Sequence, residues 1–320
     1  MVALYVDDLL IAATTLSVIS SVKQSLCSFY SMKDLGLASK FLGMNINQTS
    51  GFISLSLNDY IKASAELSNA PLSHAVSTPL SPTMDLFDSS SPRLQNITIY
   101  QRIIGQLLFI SNTGRPDIAY SVSLLSRFLK APTEIHLRAA RRVFQYLYST
   151  RSAALVYHKG SPVSLDIFSD ASYGNRADIP YATRGYVTLL AGGTITWCSK
   201  KIRSEVTLSS TEAEYISASE AVAEIQWLSN LINHMTIKVP RPTLWVDNIP
   251  AIHVAENPVG HSRMKHVDIK YHHIRKAIVD GKLNIKHVRT TEQLADITTK
   301  TLTAKPFRYL ASKLLTLESI

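Results

Sequence analysis

The order of predicted secondary structure after residue 160 limits the fold of this chain more than any other feature of its sequence. Three strand-like segments are joined by short turns and followed by one long helical segment, Ser209–His234. The three strands are Ser164–Ser169, Gly185–Leu190 and Thr194–Cys198. After the long helix, the sequence predicts the strand Thr243–Asp247, the helices Ile249–Glu256 and His266–Val279, the strand Leu283–Val288, and helical segments at 290–300 and 304–316. This order predicts an α/β domain of about 140 residues with a mixed five-stranded sheet and flanking helices.

The first 160 residues predict a different arrangement, in which two hairpins are followed by three helices. The apolar segment Val2–Ile11 is interrupted by two aspartates, which is typical of a tight hairpin, and a second hairpin is predicted within 40–57. The stretch 79–97 begins with many prolines and serines and predicts a linker. Helices are predicted at about 98–111, 116–129 and 133–148. We therefore divide the chain into segments 1–78, 79–97, 98–160, 161–302 and 303–320, the last being a C-terminal helix.

The composition excludes several classes of protein. Apolar residues make up 46% of the 320 residues and charged residues 18%, which is not the composition of a disordered chain. The two cysteines, Cys27 and Cys198, are far apart, which excludes a disulfide scaffold and favours a reducing compartment. No uninterrupted apolar run approaches the length of a membrane span, and Asp7 and Asp8 fall where a signal peptide cannot carry charge.

The formal net charge of +9 is distributed unevenly along the chain. Residues 93–159 contain ten Lys or Arg and two acids, and residues 238–313 contain 14 basic and six acidic residues, so each stretch carries +8. Between them, residues 160–237 contain five basic and eight acidic residues and carry −3. Two basic stretches on either side of an acidic one predict a polyanion-binding track beside a carboxylate site. Two solvated helical faces explain the same counts equally well.

Four acids in the predicted α/β domain stand where strands end or helices begin: Asp170, Glu214, Asp247 and Asp296. Side chains at such positions can converge at one edge of a sheet, where carboxylates without cations would repel one another strongly. Oxygen-only ligands favour Mg²⁺ or Mn²⁺ over Zn²⁺. Two such ions about 4 Å apart activate a water molecule and stabilise the leaving oxygen of a phosphodiester. A single aspartate at a strand end is usually a cap or turn residue, so the prediction depends on the set of four.

The motifs around these acids resemble the ribonuclease H of copia-class (Ty/copia) LTR retrotransposons. The matching stretches are 169–171, 184–186, 196–201, 208–215, 246–248, 265–272 and 292–297. The resemblance implies a ribonuclease H-like fold that cuts the RNA strand of an RNA–DNA hybrid, with the strand-specific contact at the 2′-OH. It also implies that the family's metal-binding and catalytic acids are Asp170, Glu214, Asp247 and Asp296.

Two sets of residues in this region need separate interpretation. Where the family usually has an acid and then a tryptophan after the first aspartate, this chain has Ser172 and Tyr173. We expect altered packing there rather than lost chemistry, because Ser172 is outside the set of four acids. The histidines that could serve acid–base chemistry are His266, His272, His273 and His287, whose positions favour packing or solvent exposure instead.

The upstream part of the chain resembles the reverse transcriptase of the same family. Tyr5–Leu10 contains the paired aspartates Asp7 and Asp8, which in that signature lie at a hairpin tip and hold metal for phosphoryl transfer. Segments 32–52 and 113–128 resemble the primer-side hairpin and the thumb and connection helices. The resemblance therefore implies a partial reverse transcriptase palm and a helical thumb/connection. Because the sequence lacks the fingers and the first palm aspartate, we expect a truncated Pol protein without reverse transcriptase activity.

These observations predict a ribonuclease that hydrolyses RNA–DNA hybrids with two Mg²⁺ (or Mn²⁺) ions and no small-molecule cofactor. The alternative is a catalytically silent relic that only binds nucleic acid, or an unstable decayed product. The residues expected to contact nucleic acid are Arg138, Arg141, Arg142, Lys200, Lys201 and Arg203. Apolar strands exposed on the palm remnant favour self-association. We expect no membrane partner, and a location in the cytoplasm or nucleus, including virus-like particles.

Overall fold

The computed structural model describes residues 1–172, 182–202, 210–256 and 268–317. These ranges include all four predicted catalytic acids. The residues named above that lie outside the described part of the chain are Tyr173, Arg203, His266 and the side chain of His272. No helix in the described ranges is both long enough and apolar enough to cross a membrane.

The N-terminus forms the predicted hairpin and then a helix. Strands β1 (Val2–Tyr5) and β2 (Asp8–Ile11) pair antiparallel. Asp7 lies in the turn between them, and Asp8 is the first residue of β2. Helix α1 (Leu16–Phe29) follows, and none of its residues is buried. The hairpin and the helix therefore present apolar side chains to solvent.

A second sheet contains a strand that the sequence analysis did not predict. This sheet has four antiparallel strands, which in spatial order are β3 (Lys40–Phe41), β4 (Met44–Gln48), β5 (Phe52–Ser56) and β6 (Ala154–His158). The strand that was not predicted is β6. Every residue of β6 pairs with β5, although several helices separate the two strands in the chain. The sheet therefore ties the start of the chain to the segment that follows the helices.

The helices between β5 and β6 form one packed layer. They are α2 (Asn58–Leu67), α3 (Ile97–Thr113), α4 (Ala119–Leu125) and α5 (Glu134–Ser149). The helix predicted over 116–129 is α-helical only in its centre, because single turns of 3-10 helix, Pro116–Ile118 and Ser126–Phe128, stand at its two ends. Tighter 3-10 turns are common where a short helix begins and ends.

A buried ion pair holds α5 against the start of the 3-10 turn Pro116–Ile118. Arg115 is 1% exposed, and its Nη2 lies 2.7 Å from Asp117 Oδ2. The Tyr146 hydroxyl donates to the same carboxylate oxygen at 2.6 Å, and Arg115 Nη1 donates to the Thr150 carbonyl at 3.0 Å. A buried pair is tolerated only when its remaining donors and acceptors are satisfied, and this network satisfies them.

The stretch predicted as a linker packs onto the helical layer. Leu80 and Leu86 are buried in the same hydrophobic core as α3 and α5. The imidazole of His136, on α5, donates from Nε2 to the Leu86 carbonyl at 2.8 Å. Few anchoring residues are enough to hold this proline- and serine-rich segment in place.

The C-terminal half contains the predicted five-stranded sheet. Its strands are β7 (Leu165–Ser172), β8 (Thr183–Leu190), β9 (Gly193–Lys201), β10 (Thr243–Val246) and β11 (Asn284–His287). The spatial order is β11-β10-β7-β8-β9. The strands β7, β8 and β9 are antiparallel, whereas β10 runs parallel to both β7 and β11. This mixed sheet confirms the predicted α/β fold class.

The helices of this half have bounds close to those predicted. They are α6 (Ser210–His234), α7 (Ile249–Glu256), α8 (Asp268–Val279) and α9 (Ala304–Leu314). The predicted helical segment at 290–300 consists of two short 3-10 helices, Thr290–Glu292 and Leu294–Thr298. Helix α6 packs on one face of the sheet, where Ile167 and Leu244 meet its apolar side chains.

The other face of the sheet packs against the helical layer. Val187 is completely buried in the core that also contains residues of α3, α5 and α9. The indole of Trp197, on β9, donates to the Ser111 carbonyl of α3 at 2.8 Å. The 3-10 helix Leu294–Thr298 approaches β8 so closely that a Cβ on Gly185 would lie 2.1 Å from the Thr298 hydroxyl. Glycine at this position allows that helix to lie on the sheet beside the predicted acids.

Candidate metal-binding active site

Three of the four predicted acids converge at one edge of the five-stranded sheet. Asp170 lies near the end of β7, and Asp247 directly follows the last residue of β10. Since these two neighbouring strands are parallel, their carboxyl ends meet at the same edge. Glu214, in the second turn of α6, reaches this edge from the helix face. Carboxylate oxygens of Asp170, Glu214 and Asp247 all lie within 4.8 Å of one another.

The fourth predicted acid joins this cluster through a lysine that the sequence analysis did not identify. Asp296 lies in the 3-10 helix Leu294–Thr298 and is buried. The ammonium of Lys300 is 2.8 Å from Asp296 Oδ1 and 3.8 Å from Asp170 Oδ2. The Thr299 hydroxyl donates a short hydrogen bond to Asp170. Asp170 therefore stands between the pair Glu214–Asp247 and the pair Asp296–Lys300.

Hydrogen bonds from neighbouring elements hold the backbone of this edge in place. The Ser217 hydroxyl, on α6, donates to the Asp170 carbonyl at 2.8 Å. The backbone N–H that follows Asp170 donates to Glu214 Oε2 at 3.1 Å, which fixes the carboxylate of Glu214 beside β7. The buried amide of Gln293 donates to the Ser169 carbonyl at 3.0 Å and thus ties the 3-10 segment to β7. These hydrogen bonds hold Asp170 and Glu214 in position.

Burial and mutual repulsion raise the pKa values of Asp170, Glu214 and Asp296. Burial, followed by the charges of Asp170 and Asp247, raises the pKa of Glu214 to about 9. Burial and the charge of Asp170 raise the pKa of Asp296 to about 7, against the opposing effect of Lys300. Burial also raises the pKa of Asp170, although Lys300 and Thr299 counteract it. If all four acids were ionised, the cluster would therefore carry more negative charge than Lys300 alone compensates.

The donor set fits a divalent cation that prefers oxygen. Among the described residues only carboxylates contribute, without histidine or cysteine, which favours Mg²⁺ or Mn²⁺ over Zn²⁺. Within the described ranges this is the only group of three or more His, Cys, Asp or Glu residues arranged closely enough to share one ion. The raised pKa values show why a cation would be bound here, since it would replace the protons that otherwise compensate the charge.

The other predicted acids, Asp7 and Asp8, lie elsewhere. They occupy the turn and the first position of β2 in the N-terminal hairpin. In the part of the chain that the structure describes, they do not belong to a group of three acids that could share an ion. Their role as a remnant polymerase site stays a prediction.

The residues predicted to contact nucleic acid lie in different surroundings. Arg141 donates from Nε to the Ser68 carbonyl at 3.1 Å, and Arg142 from Nη2 to the Thr78 hydroxyl at 3.4 Å. Both guanidiniums thus hold the segment after α2 against α5. Arg138 and Lys200 are exposed, and a role in binding nucleic acid stays a prediction for all of them.

The ends of β8 and β9 bring basic residues to the acidic edge. Asp170 on β7 pairs with Gly185 on β8, which in turn pairs with Ser199 on β9. Two strand spacings place the backbone of Ser199 roughly 10 Å from that of Asp170. Lys200 and Lys201 are the next residues along β9. The guanidinium of Arg127, which the sequence analysis missed, donates from Nη2 to the Thr183 hydroxyl at the start of β8 at 2.9 Å.

A local signal for Lys300 was present in the sequence. Lys300 stands four residues after Asp296, the spacing at which oppositely charged side chains meet on a helix. Thr299, Gln293 and Ser217 gave no such signal, because each acts through a partner far away in the chain.

Comparisons with known proteins found relatives that align with nearly the whole chain. A family model described as reverse transcriptase (RNA-dependent DNA polymerase) matches residues 1–82. The chain is 55% identical over 225 residues to a putative transposon Ty5-1 protein of Saccharomyces cerevisiae, covering 70% of this chain and 73% of that protein. It is 37% identical over 311 residues to the retrovirus-related Pol polyprotein from transposon RE1 of Arabidopsis thaliana, and 33% identical over 313 residues to that from transposon TNT 1-94 of Nicotiana tabacum.

These matches differ in how much of each relative they include. The alignments cover 97% and 95% of this chain but only 21% and 23% of the two Pol polyproteins. Among solved structures, LC11-RNase H1 in complex with an RNA/DNA hybrid aligns at 18% identity over 42% of this chain and 94% of that chain, with a TM-score of 0.34.

Proposed function

Since this chain belongs to the copia-class (Ty/copia) family of retrotransposon Pol proteins, we propose that it is a metal-dependent ribonuclease that cuts the RNA strand of RNA–DNA hybrids. The observation that carries the proposal is the convergence of Asp170, Glu214 and Asp247 within 4.8 Å, with Asp296 joined to them by Lys300. Buried carboxylates in this number repel one another unless cations offset their charge. Phosphodiester hydrolysis is a reaction for which two closely spaced divalent ions are well suited.

The residues present divide between two ion positions that share Asp170. Asp170, Glu214 and Asp247 would hold one ion, and Asp170 and Asp296 the other. When bound, the two ions would activate a water molecule and stabilise the leaving oxygen. The contribution of the chain is to hold these carboxylates in place through Ser217 and Thr299, so that little reorganisation accompanies the reaction.

Basic residues near the same edge support a nucleic acid as the substrate. Lys200 and Lys201 lie at the end of β9, two strands from β7, and Arg127 contacts the start of β8. At these positions the three side chains would contact the phosphate backbone. Such contacts are independent of sequence and weaken as salt rises. Discrimination between RNA and DNA would depend on contact with the 2′-OH.

The test is a cleavage assay on a hybrid with a label on either strand, in Mg²⁺, in Mn²⁺ and in EDTA. We expect the RNA strand to be cut only with metal, and Asp170→Asn to reduce cleavage by roughly a hundredfold or more. Glu66→Gln, which changes an exposed acid on α2, is the matched control and should cleave normally. A folded chain that binds the hybrid but cuts it with neither metal would refute the proposal and support the binding-only alternative.

We propose further that this chain alone does not polymerise DNA. Asp7 and Asp8 supply two carboxylates on a hairpin whose strands are largely exposed, and the described acids that can share an ion lie at the other site. Primer extension on an RNA template should give no product under conditions in which the hybrid is cut. Extension that Asp8→Asn abolishes would overturn this proposal.

The exposed N-terminal surface supports self-association with a second copy of the chain. Leu4, Val6, Phe29 and Leu35 are each more than 70% exposed, and the outer edges of the β1–β2 hairpin have no strand partner among the described residues. Open edges and apolar patches favour association. Sedimentation velocity should show a dimer that Leu4→Ser weakens, and a monomer at all concentrations would contradict it. Location in the cytoplasm or nucleus, including virus-like particles, is likewise a proposal.

A further inference from the structure

Lys300 places a positive charge inside one half of the acidic cluster. Its ammonium is 2.8 Å from Asp296 Oδ1 and 3.8 Å from Asp170 Oδ2. In the described part of the chain it is the only basic group recorded within ion-pair distance of any of the four acids. The two halves of the cluster therefore differ: a side-chain cation already occupies the Asp170–Asp296 half.

The Glu214–Asp247 half has no comparable partner among the described residues. Glu214 accepts a hydrogen bond from the backbone N–H of Ala171, but no basic group in the described ranges forms an ion pair with Glu214 or Asp247. Three carboxylates within 4.8 Å of one another make this half the better position for a free divalent ion.

The side chain of Lys300 is suited to leave its position. The side chain of Lys300 is 38% exposed, whereas those of Asp170 and Asp296 are 4% and 8% exposed. A lysine ammonium on a flexible four-carbon stem exchanges partners more readily than a planar guanidinium. An incoming phosphodiester is an anion and offers the ammonium another partner.

We propose that Lys300 is a built-in cation that occupies the second ion position until nucleic acid binds. The inference rests on the proposed two-ion site. Without nucleic acid, the chain takes one divalent ion, at Asp170, Glu214 and Asp247. A second ion at Asp170 and Asp296 competes with the ammonium, and a substrate phosphate that draws Lys300 away removes this competition. Lys300 is thus a positioning residue that couples the second ion to the substrate.

The experiment is a calorimetric titration of the full chain with Mn²⁺ in the absence of nucleic acid, comparing wild type with Lys300→Met. Methionine keeps an unbranched stem and removes the charge. We expect wild type to bind one ion tightly, and Lys300→Met to bind a second ion roughly tenfold or more tightly than wild type does, because a repelling charge a few ångströms away is gone. Lys305→Met, which changes an exposed lysine on α9, should titrate as wild type.

A second measurement keeps the inference testable if Lys300→Met is poorly folded in EDTA. Lys300→Arg retains the charge and should keep the one-ion stoichiometry of wild type. In thermal unfolding, Mn²⁺ should stabilise Lys300→Met more than it stabilises wild type or Lys300→Arg. If wild type and Lys300→Met bind Mn²⁺ with the same stoichiometry and affinities, the inference is wrong although the metal site stands. If none of the proteins binds Mn²⁺, the proposed function itself fails.

Discussion

Replacing Glu214 by glutamine should make the metal-free protein less sensitive to pH. The pKa of Glu214 is raised to about 9 in the folded chain from an ordinary value of 4.5, so the folded state holds a proton that the unfolded state releases above pH 5. Stability from such a group is fully present at low pH and is lost as the pH rises towards 9. Glutamine resembles the protonated form at every pH and removes this loss.

The magnitude follows from the two pKa values. The difference between about 9 and 4.5 corresponds to about 6 kcal/mol at 1.36 kcal/mol per unit. Glu214 is only 7% exposed, so solvent screens little of this effect, but relaxation of the cluster makes the figure an upper bound. Between pH 6 and pH 8.5 the same slope gives a loss of about 3 kcal/mol. Asp296, whose pKa is about 7, adds a loss at lower pH, between pH 4 and pH 7.

Urea unfolding in EDTA at pH 6 and pH 8.5 measures the effect. The free energy of unfolding of wild type should fall between these pH values by about 3 kcal/mol more than that of Glu214→Gln. Saturating Mn²⁺ should flatten the wild-type dependence, because the cation replaces the proton. Glu66→Gln should follow wild type. Equal pH dependence in wild type and Glu214→Gln would refute the reasoning, since it would show that Glu214 does not carry the buried proton.

Three other changes test the surroundings of the site. Gly185→Ala should lower the free energy of unfolding, measured in urea, by about 1–3 kcal/mol and slow hybrid cleavage, because its Cβ would overlap Thr298 and displace the 3-10 helix. The control is Gly105→Ala, where nothing lies within 4 Å of the added Cβ, and it should stabilise α3 or leave it unchanged. Arg115→Met should cost about 3–5 kcal/mol in the same assay, because it leaves a buried carboxylate without its partner. Lys200→Ala should reduce the salt dependence of hybrid binding by about one unit of slope without changing unfolding.

The sequence was sufficient to predict the elements whose pattern is local. Strands β7 to β9 and helix α6 follow from short apolar runs and one long periodic segment. The positions of Asp170 and Asp247 at strand ends follow from the same runs, and parallel pairing of their strands brings them together. Local sequence pattern was therefore enough to predict these strands, this helix and the positions of Asp170 and Asp247.

Features that depend on distant partners could not be predicted in this way. Strand β6 is short and is specified by pairing with β5, far away in the chain. The sequence analysis assigns Arg141 and Arg142 on α5 to nucleic-acid binding, but nothing in their spacing indicates that both guanidiniums contact the segment after α2. A charged residue that reaches across to a backbone carbonyl has the same helical spacing as one that faces water, so periodicity cannot separate the two.

The packing of the sheet connects the candidate site to the helical layer. Asp296 lies on a 3-10 helix that is held between β8 and the core containing α3, α5 and α9. Val187 is buried in that core, and the indole of Trp197 donates to α3. Three of the four acids belong to the sheet and α6, whereas the 3-10 helix that contains Asp296 packs on both the sheet and the helical layer. Changes in the helical layer would therefore alter the Asp170–Asp296 half of the site more than the half formed with Glu214 and Asp247.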